Sequence, residues 1–191
     1  DYDYGQKGEL TSQSTKGKDG AISKVDYGYD NHGNLTSMKC DNGTNYGFEY
    51  SGDQQIKTVT VDGKTFSKTI YEDKVNGINT GLPTKQYFGA DESSGCYSFE
   101  YDDKKRLSSI KLNENSIASY VYNEKDEICE LDDAVNGIKT YFSYDGNGNA
   151  TRVCDTDNNV LRYSYDNLGN LQKESVFAFG MAMDYDYEYK C

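Results

Sequence analysis

Apolar and polar residues alternate along most of this chain in short segments that are separated by turn-forming residues. Residues 56–61 and 64–70, for example, flank the pair Asp62-Gly63. Alternation with a period of two is typical of β-strands, and Asp-Gly between two such segments is a strong hairpin signal. No segment shows the sustained spacing of three and four that an amphipathic helix requires. The pattern predicts an all-β protein built from antiparallel hairpins.

A tyrosine-centred motif, aromatic-x-Tyr-Asp-x-x-Gly-x-Leu, recurs along the chain about every 21 residues. It is clear at residues 27–35 and 163–171, worn at 99–107 and 142–150, and fainter around Tyr50. A fixed period in this range predicts a stacked array in which each unit is one supersecondary element. With two strands per unit, the array becomes a repetitive hairpin ribbon of about 16 strands, which must twist and curl.

The repeat assigns a structural role to each residue of the motif. Asp is expected to accept hydrogen bonds from backbone amides of its own turn, and Gly to take the positive-φ position. The tyrosines are expected to lie in register on neighbouring units with most of each ring buried. The predicted structural residues are Tyr29, Asp30, Gly33, Leu35, Tyr50, Tyr101, Asp102, Leu107, Tyr122, Tyr144, Asp145, Gly148, Tyr165, Asp166, Gly169 and Leu171.

The phase of the motif also predicts the domain organisation. About eight units are expected to fill residues 1–191 as one array. The step from Tyr71 to Tyr101 is longer than the others, and residues 73–95 are therefore interpreted as an irregular insertion. Because the chain begins and ends inside a motif, we expect it to be an excerpt of a longer array.

Composition supports a half-solvated sheet. The chain has 19 Tyr, 7 Phe and no Trp, and its hydrophobic fraction of 35% is low for a protein with a central core. Tyrosine suits such a sheet because its ring is apolar and its hydroxyl is polar. The net charge of −12 argues against nucleic acid or an anionic membrane surface as partner. No stretch approaches the length of a transmembrane helix, so membrane insertion is not expected.

The candidate catalytic and metal-binding residues have simpler structural explanations. His32 is the only histidine, and it occupies a turn position that varies between units. Residues 145–149 resemble the start of a calcium loop, but Ala150 and Thr156 replace the Gly and Glu that such a loop needs. The five cysteines include no CxxC pair. We therefore expect no enzyme activity, no metal and no cofactor.

With these motifs, the chain resembles the YD-repeat, or Rhs-repeat, family. The resemblance implies a long β-hairpin ribbon that is often spiralled into a hollow shell, as in bacterial polymorphic toxins, insecticidal toxin complexes and teneurins. It implies a non-enzymatic segment of a secreted or cell-surface protein, whose partners are the rest of its own shell and an enclosed C-terminal effector. Two family features are missing from residues 1–191: the only proline, Pro83, follows Leu82 and forms no Asp-Pro cleavage motif, and these residues include no non-repeat effector tail.

Two other interpretations remain open. The aromatic, Asp and Gly spacing is similar to that of choline- and glucan-binding repeats, although those modules rely on Trp, which this chain lacks. The tyrosine-lined face could also bind cell-surface carbohydrate, which would make the chain an adhesive module.

Overall fold

The structure, a computed structural model, describes residues 1–72, 80–89, 93 and 95–189. These residues form 17 β-strands and no α-helix, and every strand pairing with a recorded register is antiparallel. The predicted all-β hairpin fold, with about two strands per unit, is confirmed. No helix among the described residues is long and apolar enough to cross a membrane.

The chain divides into two compact units, residues 1–98 and 99–191, with strand β9 (Cys96–Tyr101) crossing the boundary. In the first unit each strand pairs with the next one along the chain, as a meander. Its other strands are β1 (Tyr2–Tyr4), β2 (Leu10–Lys16), β3 (Ile22–Tyr29), β4 (Leu35–Cys40), β5 (Asn45–Tyr50), β6 (Ile56–Val61), β7 (Lys64–Tyr71) and β8 (Pro83–Phe88).

The second unit is a meander of the same kind. Its strands after β9 are β10 (Leu107–Leu112), β11 (Asn115–Tyr122), β12 (Ile128–Asp133), β13 (Ile138–Tyr144), β14 (Ala150–Asp155), β15 (Val160–Tyr165), β16 (Leu171–Ala178) and β17 (Met181–Asp186).

The stretch 73–95, interpreted from the sequence as an irregular insertion, contains strand β8. Tyr87 of this strand is one of the most buried residues of the protein, with 6% of its surface exposed. Residues 73–79, 90–92 and 94 lie outside the described residues, so the bounds of an insertion stay a prediction. Strand β8 was not predicted from the sequence because it begins with Pro83. Proline is disfavoured inside a sheet but tolerated at the start of a strand.

A register shift precedes the motif tyrosine in almost every unit. Glu49 lies opposite Thr58, but the next residue, Tyr50, lies opposite Ile56, so Lys57 is an extra residue on β6. The same shift brings Tyr144 opposite Ala150 and Tyr165 opposite Leu171. Such a bulge increases the local twist of the strand. It places the Tyr and Leu positions of each motif opposite each other.

The two faces of the sheet in the second unit differ in chemistry and burial. Register partners share a face, and successive residues of a strand point to opposite faces. One face, here the tyrosine face, carries Tyr122, Phe142, Tyr144, Leu161, Tyr163 and Tyr165, all half-buried. The opposite face, here the polar face, carries Tyr141, Ser143, Arg152, Arg162 and Ser164, all exposed.

Burial is shallow throughout the described residues. The hydrophobic residues that are buried there are Tyr87, Cys96 and Ala118, none of them completely, and the tyrosine face is only half-buried. Apolar area is therefore removed from water mainly between neighbouring side chains of the same sheet. This agrees with the low hydrophobic fraction of the sequence.

The difference between the two faces can be measured on adjacent residues of β13. Phe142→Ala removes a half-buried ring from the tyrosine face and should lower the free energy of unfolding by about 2 kcal/mol. Tyr141→Ala removes a ring from the polar face, where 39% of Tyr141 is exposed, and should cost clearly less. Urea unfolding of both variants tests this. Equal losses would contradict the assignment of the faces.

Candidate functional site: the tyrosine and aspartate ladder

The motif tyrosines form a ladder of hydrogen bonds to the main chain. In six of them the hydroxyl donates to the carbonyl oxygen of the residue that begins the preceding strand, which is the first residue of the same hairpin. The described bonds are Tyr29 to Leu10 (2.9 Å), Tyr50 to Leu35 (2.9 Å), Tyr71 to Ile56 (2.6 Å), Tyr122 to Leu107 (2.8 Å), Tyr144 to Ile128 (2.7 Å) and Tyr165 to Ala150 (2.8 Å). Every one of these tyrosines thus closes the open end of its own hairpin.

The tyrosine environment is partly desolvated. Burial raises the pKa of Tyr122, Tyr144 and Tyr165 above the ordinary value, because the phenolate would be charged in a poorly hydrated position. These hydroxyls therefore stay protonated near neutral pH and can donate to the carbonyls. Tyr101, which ends β9, and Leu107, which begins β10, are also half-buried.

The motif aspartates organise the turns between hairpins. In the turn that follows Tyr165, Oδ1 of Asp166 accepts hydrogen bonds from the backbone amides of Leu168 and Asn170, both at 2.8 Å. Its Oδ2 accepts a third from the side-chain amide of Asn170, also at 2.8 Å. Gly169 has a φ of +84°, a conformation that glycine adopts without strain. Asp30 and Asp145 make the same three bonds in their turns, and Gly33 and Gly148 also have positive φ.

The asparagine after the glycine is a functional part of the turn that our motif analysis missed. Asn34, Asn149 and Asn170 each donate their side-chain amide to the motif aspartate. The signal was present, because these copies of the motif read Gly-Asn in the sequence. In the worn copy at residues 99–107, Arg106 takes this position, and its Nε donates a hydrogen bond to Asp102 at 2.7 Å.

These bonds hold the aspartates in their ionised form. The pKa of Asp30, Asp145 and Asp166 is lowered chiefly by the hydrogen bond from the asparagine side chain, and that of Asp102 by the one from Arg106. None of these carboxylates is poised to exchange a proton near neutral pH. Their arrangement is that of turn caps, which is the opposite of the mixed environments that an acid–base pair needs.

Worn motif copies keep the turn geometry with other residues. The glycine position is filled by Gln54, Lys105 and Asp126 in three units, and each has a positive φ of 64° to 67°. The aspartate position is filled by Asn123, whose Oδ1 accepts from the amides of Lys125 and Glu127. The turn conformation therefore persists where the sequence motif is hard to recognise.

Successive turns also contact each other along the same edge of the sheet. In the second unit, Asp126 accepts from Lys104 Nζ at 2.6 Å and from Arg106, and both donors belong to the preceding turn. The Arg106 guanidinium also lies 4.3 Å from the centre of the Tyr122 ring, within the range of a cation–π contact. In the first unit, the Asn34 side chain donates to Gln54 of the next turn.

Shallow grooves separate the turns. One groove of about 640 Å³ is lined by residues that include Tyr27, Tyr29 and His32, and one of about 410 Å³ by Phe48, Tyr50 and His32. A groove of about 350 Å³ beside Phe142 and Tyr144 repeats the arrangement in the second unit. Each groove therefore presents the aromatic pair of one motif next to polar turn groups.

The residues considered for catalysis or metal binding are not brought together. His32 is 70% exposed, and its Nδ1 lies 3.9 Å from Oδ2 of Asp30. Among the described residues, no group of three or more His, Cys, Asp or Glu side chains is placed to hold a metal. Among the described residues, Cys40, Cys96, Cys129 and Cys154 form no disulfide, and Cys191 lies outside the described residues.

Comparison with known proteins shows what the chain is similar to. The family model described as RHS Repeat matches residues 144–176, which hold β14, β15 and the motif turns on both sides. Residues 144–176 thus match an Rhs repeat. The resemblance drawn from the motif is confirmed.

Two curated relatives and one solved structure show similarity over most of the chain. The tRNA3(Ser)-specific nuclease WapA of Bacillus spizizenii is 25% identical over 86% of this chain, and the tRNA nuclease WapA of Bacillus subtilis is 28% identical over 68%. The chain spans 6% of the length of each. The crystal structure of TcdB2-TccC3-Cdc42 matches 95% of this chain and 11% of its own, with 13% identity and a TM-score of 0.71, which shows a shared fold.

The contribution of the tyrosine hydroxyl can be isolated by Tyr144→Phe. The change keeps the ring but leaves the Ile128 carbonyl without its donor, so we expect a loss of about 1 kcal/mol in the free energy of unfolding. Tyr141→Phe is the matched control, because the exposed Tyr141 hydroxyl has no such bond. Urea unfolding measures both. If Tyr144→Phe were as neutral as the control, the hydroxyl ladder would not stabilise the hairpins.

The turn carboxylates predict an acid-labile fold. Because their folded-state pKa values are lowered, they contribute stability at pH values above the ordinary aspartate pKa of about 3.9, and this contribution is lost as pH falls through the lowered value. The melting temperature should therefore fall steeply below about pH 4. Asp166→Asn should keep the amide bonds of its turn, as Asn123 does naturally, but should show a smaller loss on acidification.

Asp157→Asn is the control for that experiment. It removes the same charge from an exposed turn residue whose carboxylate makes no hydrogen bond or ion pair among the described residues. Melting curves of the three proteins between about pH 7 and about pH 3 give the comparison. An unchanged acid dependence in Asp166→Asn would contradict the role assigned to the carboxylate.

Proposed function

We propose that this chain is a non-enzymatic structural segment of a secreted or surface-exposed bacterial YD/Rhs-repeat protein. It would form part of a β-shell that encloses or displays a toxin effector. Its partners would be the remainder of its own shell and that effector. The observation that carries the proposal is the use of the motif side chains within the scaffold: tyrosine hydroxyls close hairpins, and aspartate carboxylates cap turns.

The comparisons support this assignment because this chain matches only a small fraction of the length of each relative. The relatives named as tRNA nucleases are matched over 6% of their length, by a segment that consists of repeats. The solved structure with the same fold is likewise matched over 11% of its length. A nuclease activity requires residues that act on substrate, and here the candidate groups are exposed, as His32 is, or committed to turns, as Asp145 is. We infer that any toxic chemistry of the parent protein lies outside this segment.

The proposal predicts how the parent protein responds to two kinds of change. Deleting residues 150–170 removes one repeat of 21 residues and joins Asn149 to Leu171, which preserves the motif across the junction. The deletion shifts every later strand and should expose an enclosed effector to limited proteolysis. His32→Ala and Cys154→Ser should leave both the proteolysis pattern and the activity unchanged.

Two results would contradict the proposal. Loss of activity in His32→Ala, with an unchanged circular dichroism spectrum and melting temperature, would indicate a catalytic role for this chain. An effector that is equally sensitive to protease in the parent and in the repeat deletion would show that the array neither encloses nor protects it.

A second candidate function is carbohydrate binding by an adhesive module. It is favoured by the grooves between turns, each of which combines an aromatic pair with polar groups. Sugars stack on aromatic rings and hydrogen-bond to such groups. A glycan array probed with the purified chain tests this function. Specific binding that is lost in Tyr27→Ala, but kept in Tyr141→Ala, would support it, and no binding to any glycan would reject it.

A further inference from the structure

Two of the three arginines of this chain lie directly opposite each other. Arg152 of β14 and Arg162 of β15 are register partners on the polar face of the second unit, and both are exposed. Directly opposite residues of an antiparallel pair have Cβ atoms about 4.5–5.5 Å apart, and like charges in this position destabilise the sheet. In a chain with 32 acidic and 20 basic residues, an arginine pair of this kind is unexpected.

The charge of the pair is not compensated within the described residues. Neither arginine makes a side-chain hydrogen bond or ion pair there. The row of register partners that contains them runs from Ser143 through both arginines and Ser175 to Asp184. Asp184 lies two strands from Arg162 and is already engaged by Ser175 and Lys173.

Other cations on the same sheet contrast with this pair. Lys139 contacts Glu130 at 2.9 Å and Asp132 at 3.2 Å, and Arg106 contacts Asp102 at 2.6 Å. Lys139 and Arg106 are thus each paired with carboxylates. At Arg152 and Arg162 two guanidinium groups are left with unused donors.

An apolar strip lies beside the pair on the same face. The adjacent row of register partners is Tyr141, Cys154, Val160 and Phe177, one from each of four neighbouring strands. Phe177 is 47% exposed. A groove of about 450 Å³ borders Arg162 and the strip: its lining includes Val160, Phe177, Arg162 and Ser175, together with Asp184, whose carboxylate is engaged by Ser175 and Lys173.

We propose that Arg152 and Arg162 form a binding site for an oxyanion, either a carboxylate or a phosphate group, that is attached to an apolar or aromatic group. The guanidinium fork matches both oxyanions in bidentate geometry, and an anion between the two forks would remove their mutual repulsion. The strip of Val160 and Phe177 would contact the organic part of the ligand. This site is independent of whether the array encloses an effector.

Titration of the purified chain followed by ¹H–¹⁵N NMR tests the site. The probes are phenyl phosphate and phenylacetate, which share the ring and differ in the anion, and inorganic phosphate, all at constant ionic strength. We expect saturable shifts confined to the amides of β14, β15 and β16, and weaker binding of inorganic phosphate because it cannot contact the apolar strip. Binding of either aromatic probe supports the site and identifies which oxyanion it prefers.

Three variants separate a built site from general electrostatic attraction. Arg162→Gln should weaken the binding about tenfold, the factor that corresponds to the loss of one charge-assisted hydrogen bond. Arg162→Lys keeps the charge and should also weaken it, because the fork is lost. Lys57→Gln removes an equal charge from an exposed position on β6 of the first unit and should leave the affinity unchanged.

The site would be rejected by any of three outcomes. The first is the absence of a saturable shift with either aromatic probe. The second is an affinity in Arg162→Gln equal to that of the unmodified chain. The third is a loss of affinity in Lys57→Gln equal to the loss in Arg162→Gln. Because Arg162 is exposed, its replacement should leave the dispersion of the spectrum intact, so a lost interaction can be distinguished from unfolding.

Discussion

The hydrogen bond from a motif tyrosine to the carbonyl at the start of its own hairpin, made by six of these tyrosines, is the interaction on which the rest of this structure depends. A two-stranded hairpin is marginally stable alone, and its open end is where the strands separate first. Tyr144 and Tyr165 join the two strands at that end and at the same time cover the sheet with a half-buried ring. One side chain thus supplies both a directional bond and a half-buried ring.

The turns of each unit provide hydrogen-bond acceptors for backbone amides that lie outside the strands. A chain that reverses direction every six to eight residues has many backbone amides outside the ladder, and these need acceptors. Asp30, Asp145 and Asp166 each accept two such amides and one asparagine side chain. The large acidic surplus of the protein has a partial explanation in this requirement. The contacts of Asp126 with Lys104 and Arg106 then connect one turn to the next.

A scaffold of this kind leaves one face of the sheet free to vary. On the tyrosine face, residue identity is set by the ladder, whereas positions on the polar face are constrained mainly by their register partners. Arg152 and Arg162 occupy such positions, and no requirement of the hairpin explains them. In the proposed assignment, the structural role and recognition use opposite faces of the same strands.

The sequence by itself determined the all-β class, the hairpin unit and the resemblance to Rhs repeats, because each depends on local chemistry that repeats. Asp-x-x-Gly specifies a turn wherever it occurs, and alternation specifies a strand. Strand β8 was not predicted, since Pro83 and the surrounding glycines resemble a loop until Tyr87 is placed against its neighbours. The hydroxyl acceptors of the tyrosines, the donors of Asn149 and Asn170, and the opposition of Arg152 and Arg162 were decided only in the tertiary structure. Each is set by the register between strands, and a bulge of one residue, which leaves almost no trace in the sequence, changes which side chains meet.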